Sequence, residues 1–271
     1  MPRIAQFVLE RATQNARRAL SSEAPLSVLV DNTVFDLAVT HEEKWISEKS
    51  RGYIARVPVY GRTNTSDRHF QASYLTGIGH LARLGLITLH QSAELQAEKF
   101  RQPPGRFRGY GYSDFSLLRD IEIGSIDGWV FPKMGPKWMN HPSPKEQQLK
   151  RVRQSDDILF HDLYGLLKEQ LGDKCSLDAW HIRTAERTGQ FCFLTTDGPL
   201  LKACASLARK EPLRSLNTLV MSPAQLGAHL GLKPIKPYLL SYNDTDWFVR
   251  MDHTMPGERR RQRKGRGKAA A

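Results

Sequence analysis

The chain is short of cysteine, of acid and of long apolar runs, and each shortage removes a class of protein. Its three cysteines, Cys175, Cys192 and Cys204, form no CxxC pair and no even set. That spacing speaks against a disulfide framework and against a thiolate zinc site. Cys192 lies inside an apolar run and reads as a small buried hydrophobe, so a reducing, cytoplasmic setting is expected. No apolar stretch approaches the ~20 residues that span a bilayer, and the first residues lack the apolar core of a secretory signal. The glycines of Gly109-Tyr110-Gly111 follow no strand and lack GxGxxG spacing, which excludes a dinucleotide fingerprint there. No low-complexity linker divides the middle of the 271 residues. One α/β domain with extensions is the expected organisation.

Acid is scarce relative to base: 28 Asp+Glu stand against 40 Lys+Arg, for a net charge of +12. Half of that surplus sits between Glu258 and Lys268, where seven basic residues face one acid. Such a tail has almost no apolar side chains to bury, so residues 257–271 are expected to be disordered; composition fits equally a segment that attracts nucleic-acid phosphates and a solvated terminus that aids solubility. Residues 101–150 are rich in Pro and Gly, with Arg101, Arg106, Arg108, Tyr110, Tyr112 and Trp129 interspersed. They read as an inserted irregular loop whose aromatics pack locally. The competing reading is a surface that holds RNA by charge and base stacking, with Arg101, Arg106 and Arg108 as contacts.

Periodicity supplies the elements. Ile4, Phe7, Val8 and Ala12 form a helical stripe within residues 1–24. Leu26–Val30 is a short β-branched run ending at Asp31 and predicts a buried strand. Residues 33–50 read as helical and 51–70 as irregular. Leu75, Ile78, Leu81 and Ala82 share a helical face that Gly85 terminates. Leu86–His90 predicts a second strand, followed by a helix from Ser92 to Phe100. Beyond the insertion, helices are expected over 156–171 and 177–188, the latter capped by Ser176, and a strand over 191–194. A helix over 199–210, a strand over 217–220 and a helix opened by Ser222-Pro223 complete the pattern. Strands alternating with helices imply a parallel β-sheet flanked by helices, over residues 25–232. Residues 233–256 form a C-terminal extension.

In such sheets, function gathers beyond the carboxyl ends of the strands. Asp31 ends the first strand and Asp197 follows the 191–194 strand. Asp178 lies in the first turn of the helix feeding that strand, and Glu94 follows the 86–90 strand. Each has a structural explanation alone: Asp31 as a helix cap, Asp178 as a complement to a helix dipole, Asp197-Gly198 as a turn, Glu94 as a solvated helix residue. Together on one edge they would repel one another without a cation between them, and oxygen ligands of this kind suit Mg²⁺ or Mn²⁺.

These residues resemble the PIN-domain nucleases, including the endoribonucleases of toxin–antitoxin pairs. Val28-Leu-Val-Asp31-Asn-Thr-Val-Phe35 is similar to the opening strand with its first acid. Ser92-Ala-Glu94-Leu95 resembles the second-acid helix, and Leu177-Asp178-Ala-Trp-His181-Ile-Arg-Thr-Ala185 the third. Leu194-Thr195-Thr196-Asp197 resembles the T-x-D element, and Val220-Met-Ser-Pro223 the closing strand. The resemblance covers roughly 26–230, with residues 101–150 as an insertion. It implies a metal-dependent RNA hydrolase with Asp31, Glu94, Asp178 and Asp197 as ligands. Thr195 or Thr196 would orient an acid or a phosphate. Glu98, Asp157 and Asp162 could each stand in for Glu94 as the second acid. RNA, or DNA in some relatives, would be the partner, and a cognate antitoxin or a homodimer is further implied.

Two other functions compete. A PIN-like scaffold that binds RNA without cutting it would rely on Arg101–Tyr112 and the basic tail. A haloacid-dehalogenase-like phosphohydrolase needs a second Asp two residues after the first, and that position is Thr33.

Overall fold

In a computed structural model, the described residues are 3–48, 51–60, 66–101, 117–127, 146, 149–150 and 153–239. The first half holds helix α1 (Arg3–Leu20), strand β1 (Leu26–Val30), helix α2 (Asn32–Ala38), strands β2 (His41–Glu48) and β3 (Arg51–Pro58), helix α3 (Asp67–Arg83), strand β4 (Ile87–Gln91) and helix α4 (Ala93–Arg101). Strand β5 (Ile123–Ser125) follows, then helices α5 (Ile158–Leu171) and α6 (Ser176–Arg187), strand β6 (Cys192–Leu194), helix α7 (Gly198–Leu207), strand β7 (Leu219–Met221) and helix α8 (Pro223–His229). Among the described residues, no helix is long and apolar enough to cross a membrane.

Five strands form one all-parallel sheet in the order β5-β4-β1-β6-β7. The chain builds outward from β1 through β4 to β5, then returns to the other side of β1 for β6 and β7. Strand order therefore reverses between β1 and β6, where such sheets carry ligands. Both faces are covered, which explains the near-continuous apolar strands. Val28, Val30, Cys192 and Leu194 face a core completed by α2, α3 and α8. The alternate residues Leu29 and Phe193 face a second core built from α5, α6 and α7. All three cysteines are buried and free; burial pushes the Cys192 thiol up to about 12.

The expected elements and the structure differ in four places. The 33–50 helix ends at Ala38, and 41–58 is an antiparallel hairpin instead of a helix followed by irregular chain. The run HEEKWISE has helix-forming composition, but its register pairs Trp45 with Ile54 and Glu43 with Arg56. Tertiary pairing overrides local propensity here. The α1 stripe is rotated: Ala5, Leu9, Ala12, Ala16 and Leu20 are buried, while Phe7 is 63% exposed. Small residues let α1 approach α3 closely, where Thr13 sits against Gly77. Residues 101–150, read as irregular throughout, supply the edge strand β5. Ser176 opens α6 as its first residue and does not cap it. Ser222 does cap α8, in a reciprocal capping box with Gln225, and Gly85 takes the positive φ expected after α3, as Gly189 does after α6.

A candidate acidic site at the strand-order reversal

Asp31 occupies the N-cap position of α2, yet its side chain makes no capping bond. Its Oδ2 instead accepts hydrogen bonds from the Thr33 and Thr195 hydroxyls, each at 2.6 Å. Those hydroxyls accept in turn from the backbone N–H of Thr196 (3.0 Å) and of Asp197 (3.1 Å). The ladder continues past both strand ends, with Asp31 N–H donating to Leu194 O and Thr195 N–H to Met221 O. The start of α2 and the loop after β6 are thus tied through one carboxylate oxygen. Thr195 is completely buried, which suits a role in orienting Asp31.

Asp197 caps α7 through Oδ1, which accepts from Leu200 N–H at 2.9 Å. Capping fixes that oxygen, and among the described residues Oδ2 has no hydrogen-bond partner. Asp178 lies in the first turn of α6. Burial raises its pKa, His181 pulls it back, and the Asp197, Asp31 and Glu98 charges push it further up, to about 6. The charges of Asp31 and Asp197, contributed by two other elements, are therefore felt at Asp178.

Helix α4 brings two acids. Glu98 Oε1 lies 3.0 Å from His181 Nε2 and, as above, acts on Asp178. Glu94, one turn earlier and 7% exposed, is a charge felt by Asp127. Asp127 accepts from Ala93 N–H at 2.8 Å, and burial first, then Glu94, raises its pKa. Asn32 holds this helix to the end of β1: its Nδ2 donates to Leu95 O at 2.7 Å, and Gln91 Nε2 donates to its Oδ1 at 3.3 Å. The other two candidates for the second acid, Asp157 and Asp162, belong to α5 and its cap. Asp157 caps α5 and pairs with Arg183 at 2.7 Å, which outweighs the cost of burial and holds its pKa low. Asp162 is exposed on α5. Arg101 is the last residue of α4, and Arg106 and Arg108 lie outside the described residues, as does the basic tail.

His181 is buried against Phe193. Burial alone would lower its pKa, but the Glu98 carboxylate, aided by Asp31 and Asp178, raises it to about 8. The folded protein binds this proton more tightly than the unfolded chain. The resulting stability is complete below about pH 6.5 and is lost as pH rises through about 8. Glu98→Gln is expected to remove that dependence. In thermal unfolding from pH 6 to 9, the gap between wild type and variant should narrow toward high pH. A gap that stays constant would show that the pair has no such role.

Sequence reasoning passed over Asn32, Gln91, Asp127 and, as an Asp31 partner, Thr33. Only Thr33 carried a signal, standing two residues from an acid in a strand-to-helix turn. The Asp127 bond spans 34 residues and has no local trace. Among the described residues, no three His, Cys, Asp or Glu side chains form a ready cage for a metal ion. The donor set still suits a hard divalent cation, because Mg²⁺ is usually held by one or two carboxylates plus waters and substrate phosphates. Glu98, Asp31 and Asp178 all act on His181, and Asp197 adds a further negative charge at Asp178, a surplus that a cation would offset. No protein-family model, curated protein or solved structure matches the chain.

Proposed function

We propose that this chain is a Mg²⁺- or Mn²⁺-dependent endoribonuclease of the PIN type. The observation that carries the reading is the juxtaposition of acids at the reversal of strand order: Thr195 bridges Asp31 to the Asp197 backbone, and both carboxylate charges are felt at Asp178. Asp31, Asp178 and Asp197 would hold the ion, with Glu98 alongside and Glu94 one turn away. When bound, the cation supplies positive charge that activates water and offsets charge developing on a phosphate. The protein's own residues prepare that chemistry. Thr33 and Thr195 fix one Asp31 oxygen and, among the described residues, leave the other without a partner, and Leu200 N–H does the same for Asp197. His181 holds Glu98 beside the aspartates. Hydrolysis adds the water oxygen to phosphorus and expels one ester oxygen, so no nucleophilic side chain is required. The excess of base over acid in the whole chain favours a polyanionic substrate.

The test is incubation of purified protein with single-stranded RNA, structured RNA and DNA in Mn²⁺ or Mg²⁺. EDTA and Asp178→Asn serve as controls. Cleavage of RNA that both controls lower by about two orders of magnitude or more is expected, the scale of losing one charge-stabilising group. Cleavage that persists in Asp178→Asn would come from a contaminant. Binding without cleavage across the whole panel would replace the nuclease with an RNA-binding scaffold.

A further inference from the structure

A second concave surface lies at the opposite edge of the sheet. Where the end of α1 meets the α3–β4 turn, Gln14, Arg17, Arg18, Ser21, Leu84 and Leu86 line a cleft of about 530 Å³. Leu86 precedes β4, and its carbonyl accepts from Leu26 N–H at the start of β1. The cleft therefore opens at the entry ends of the parallel strands, whereas the acids sit at their exit ends. A ligand bound here does not occupy the acidic site.

The lining has two chemistries. Among the described residues, neither the Arg17 nor the Arg18 guanidinium forms an ion pair or a hydrogen bond, and both are exposed. The Ser21 hydroxyl donates to Arg18 O, which anchors the turn beneath them. The positive field reaches inward: His80 on α3 is held below its usual pKa by burial and then by the Arg17 and Arg83 charges. The other wall is apolar, and Leu84 is left 46% exposed beside it. Two forked cations next to bare leucine surface suit a ligand with a phosphate at one end and a flat apolar body at the other. The volume lies within the ~300–1,000 Å³ of small-ligand clefts and leaves room for one nucleotide.

We propose that this cleft binds a single nucleotide unit, its phosphate between Arg17 and Arg18 and its base against Leu84 and Leu86. That unit is either a free mononucleotide or one residue of an RNA strand. The assignment is independent of the nuclease reading, because EDTA silences cleavage during the measurement. Calorimetric titration of the full chain in EDTA at low salt would use AMP, adenosine, inorganic phosphate and an eight-residue oligoadenylate. Arg17→Ala/Arg18→Ala is compared with Arg209→Ala/Lys174→Ala, which removes equal charge from exposed positions elsewhere. Loss of both guanidinium forks is expected to weaken nucleotide binding by about tenfold or more. Leu84→Ser should weaken AMP while leaving inorganic phosphate unchanged. Loss confined to AMP identifies a free nucleotide as the ligand, and loss confined to the oligonucleotide identifies a strand. Equal weakening by the two double variants, or no change in the first, overturns the proposal.

Discussion

Replacing Asp178 with asparagine is expected to raise the melting temperature of the metal-free protein by roughly 5 °C at pH 7. Burial and the Asp197, Asp31 and Glu98 charges raise this carboxyl from 3.8 to about 6. The folded state thus holds the proton more tightly than the unfolded chain. Below about pH 4 both states are protonated and no cost arises. As pH rises through 6 the folded state must ionise the group against its surroundings, a penalty approaching roughly 3 kcal/mol. Asparagine keeps the shape and never ionises. Its advantage should be absent near pH 4, grow between pH 4 and 6, and hold at pH 7. Added Mn²⁺ should reverse the order, stabilising wild type by mass action and the variant little. Melting curves at pH 4, 5, 6 and 7, with and without Mn²⁺, decide the matter. An advantage equal at every pH, or metal stabilisation equal in both proteins, contradicts the account.

A change remote from the acids should cost the most stability. Gly227 on α8 lies flat against Tyr74 of α3, and a β-carbon there would overlap the ring at Cδ1. It would also stand 2.9 Å from Cγ and 3.0 Å from Cβ of the same side chain. Crowding the root of the ring cannot be relieved by rotating its far end, so the two helices must separate. Gly227→Ala is expected to destabilise by about 1–3 kcal/mol. Tyr74→Ala introduced alongside should recover part of that loss, since it removes the obstacle. Gly165→Ala on α5 makes the opposite case. Nothing lies within 4 Å of a β-carbon built there, so better helix propensity should add up to about 1 kcal/mol. Denaturant titrations of the three proteins give the comparison. A neutral Gly227→Ala would mean that the helices are not seated this closely.

The layered α/β architecture was legible because its signals are local. Leu26–Val30, Leu86–His90, Phe191–Leu194 and Asn217–Val220 are short apolar runs between helices with recognisable stops, and each contributes to a strand. That Asp31 and Asp197 lie at one edge was legible because the parallel topology puts strand exits together. What escaped depends on pairing between segments and not on the period of one segment. The β2–β3 hairpin is defined by pairing between two runs that look helical or irregular alone. Strand β5, three residues long, shows no period at all. The acid on α4 that pairs with His181 is Glu98, and one helical turn separates it from Glu94. Periodicity cannot choose between residues four apart on the same face; packing against α6 does.

Helix α1 buries Ala5, Leu9 and Ala12 against Ile235. Lys233 N–H donates to Ala12 O, and Ile235 N–H to Ser73 O. The earliest described helix is therefore closed over by a segment that a ribosome delivers more than two hundred residues later. During synthesis α1 emerges with an apolar flank that has no cover, and it must wait for nearly the entire domain before it can settle. Loss of residues 233–235 would leave the nascent chain permanently in that unfinished state.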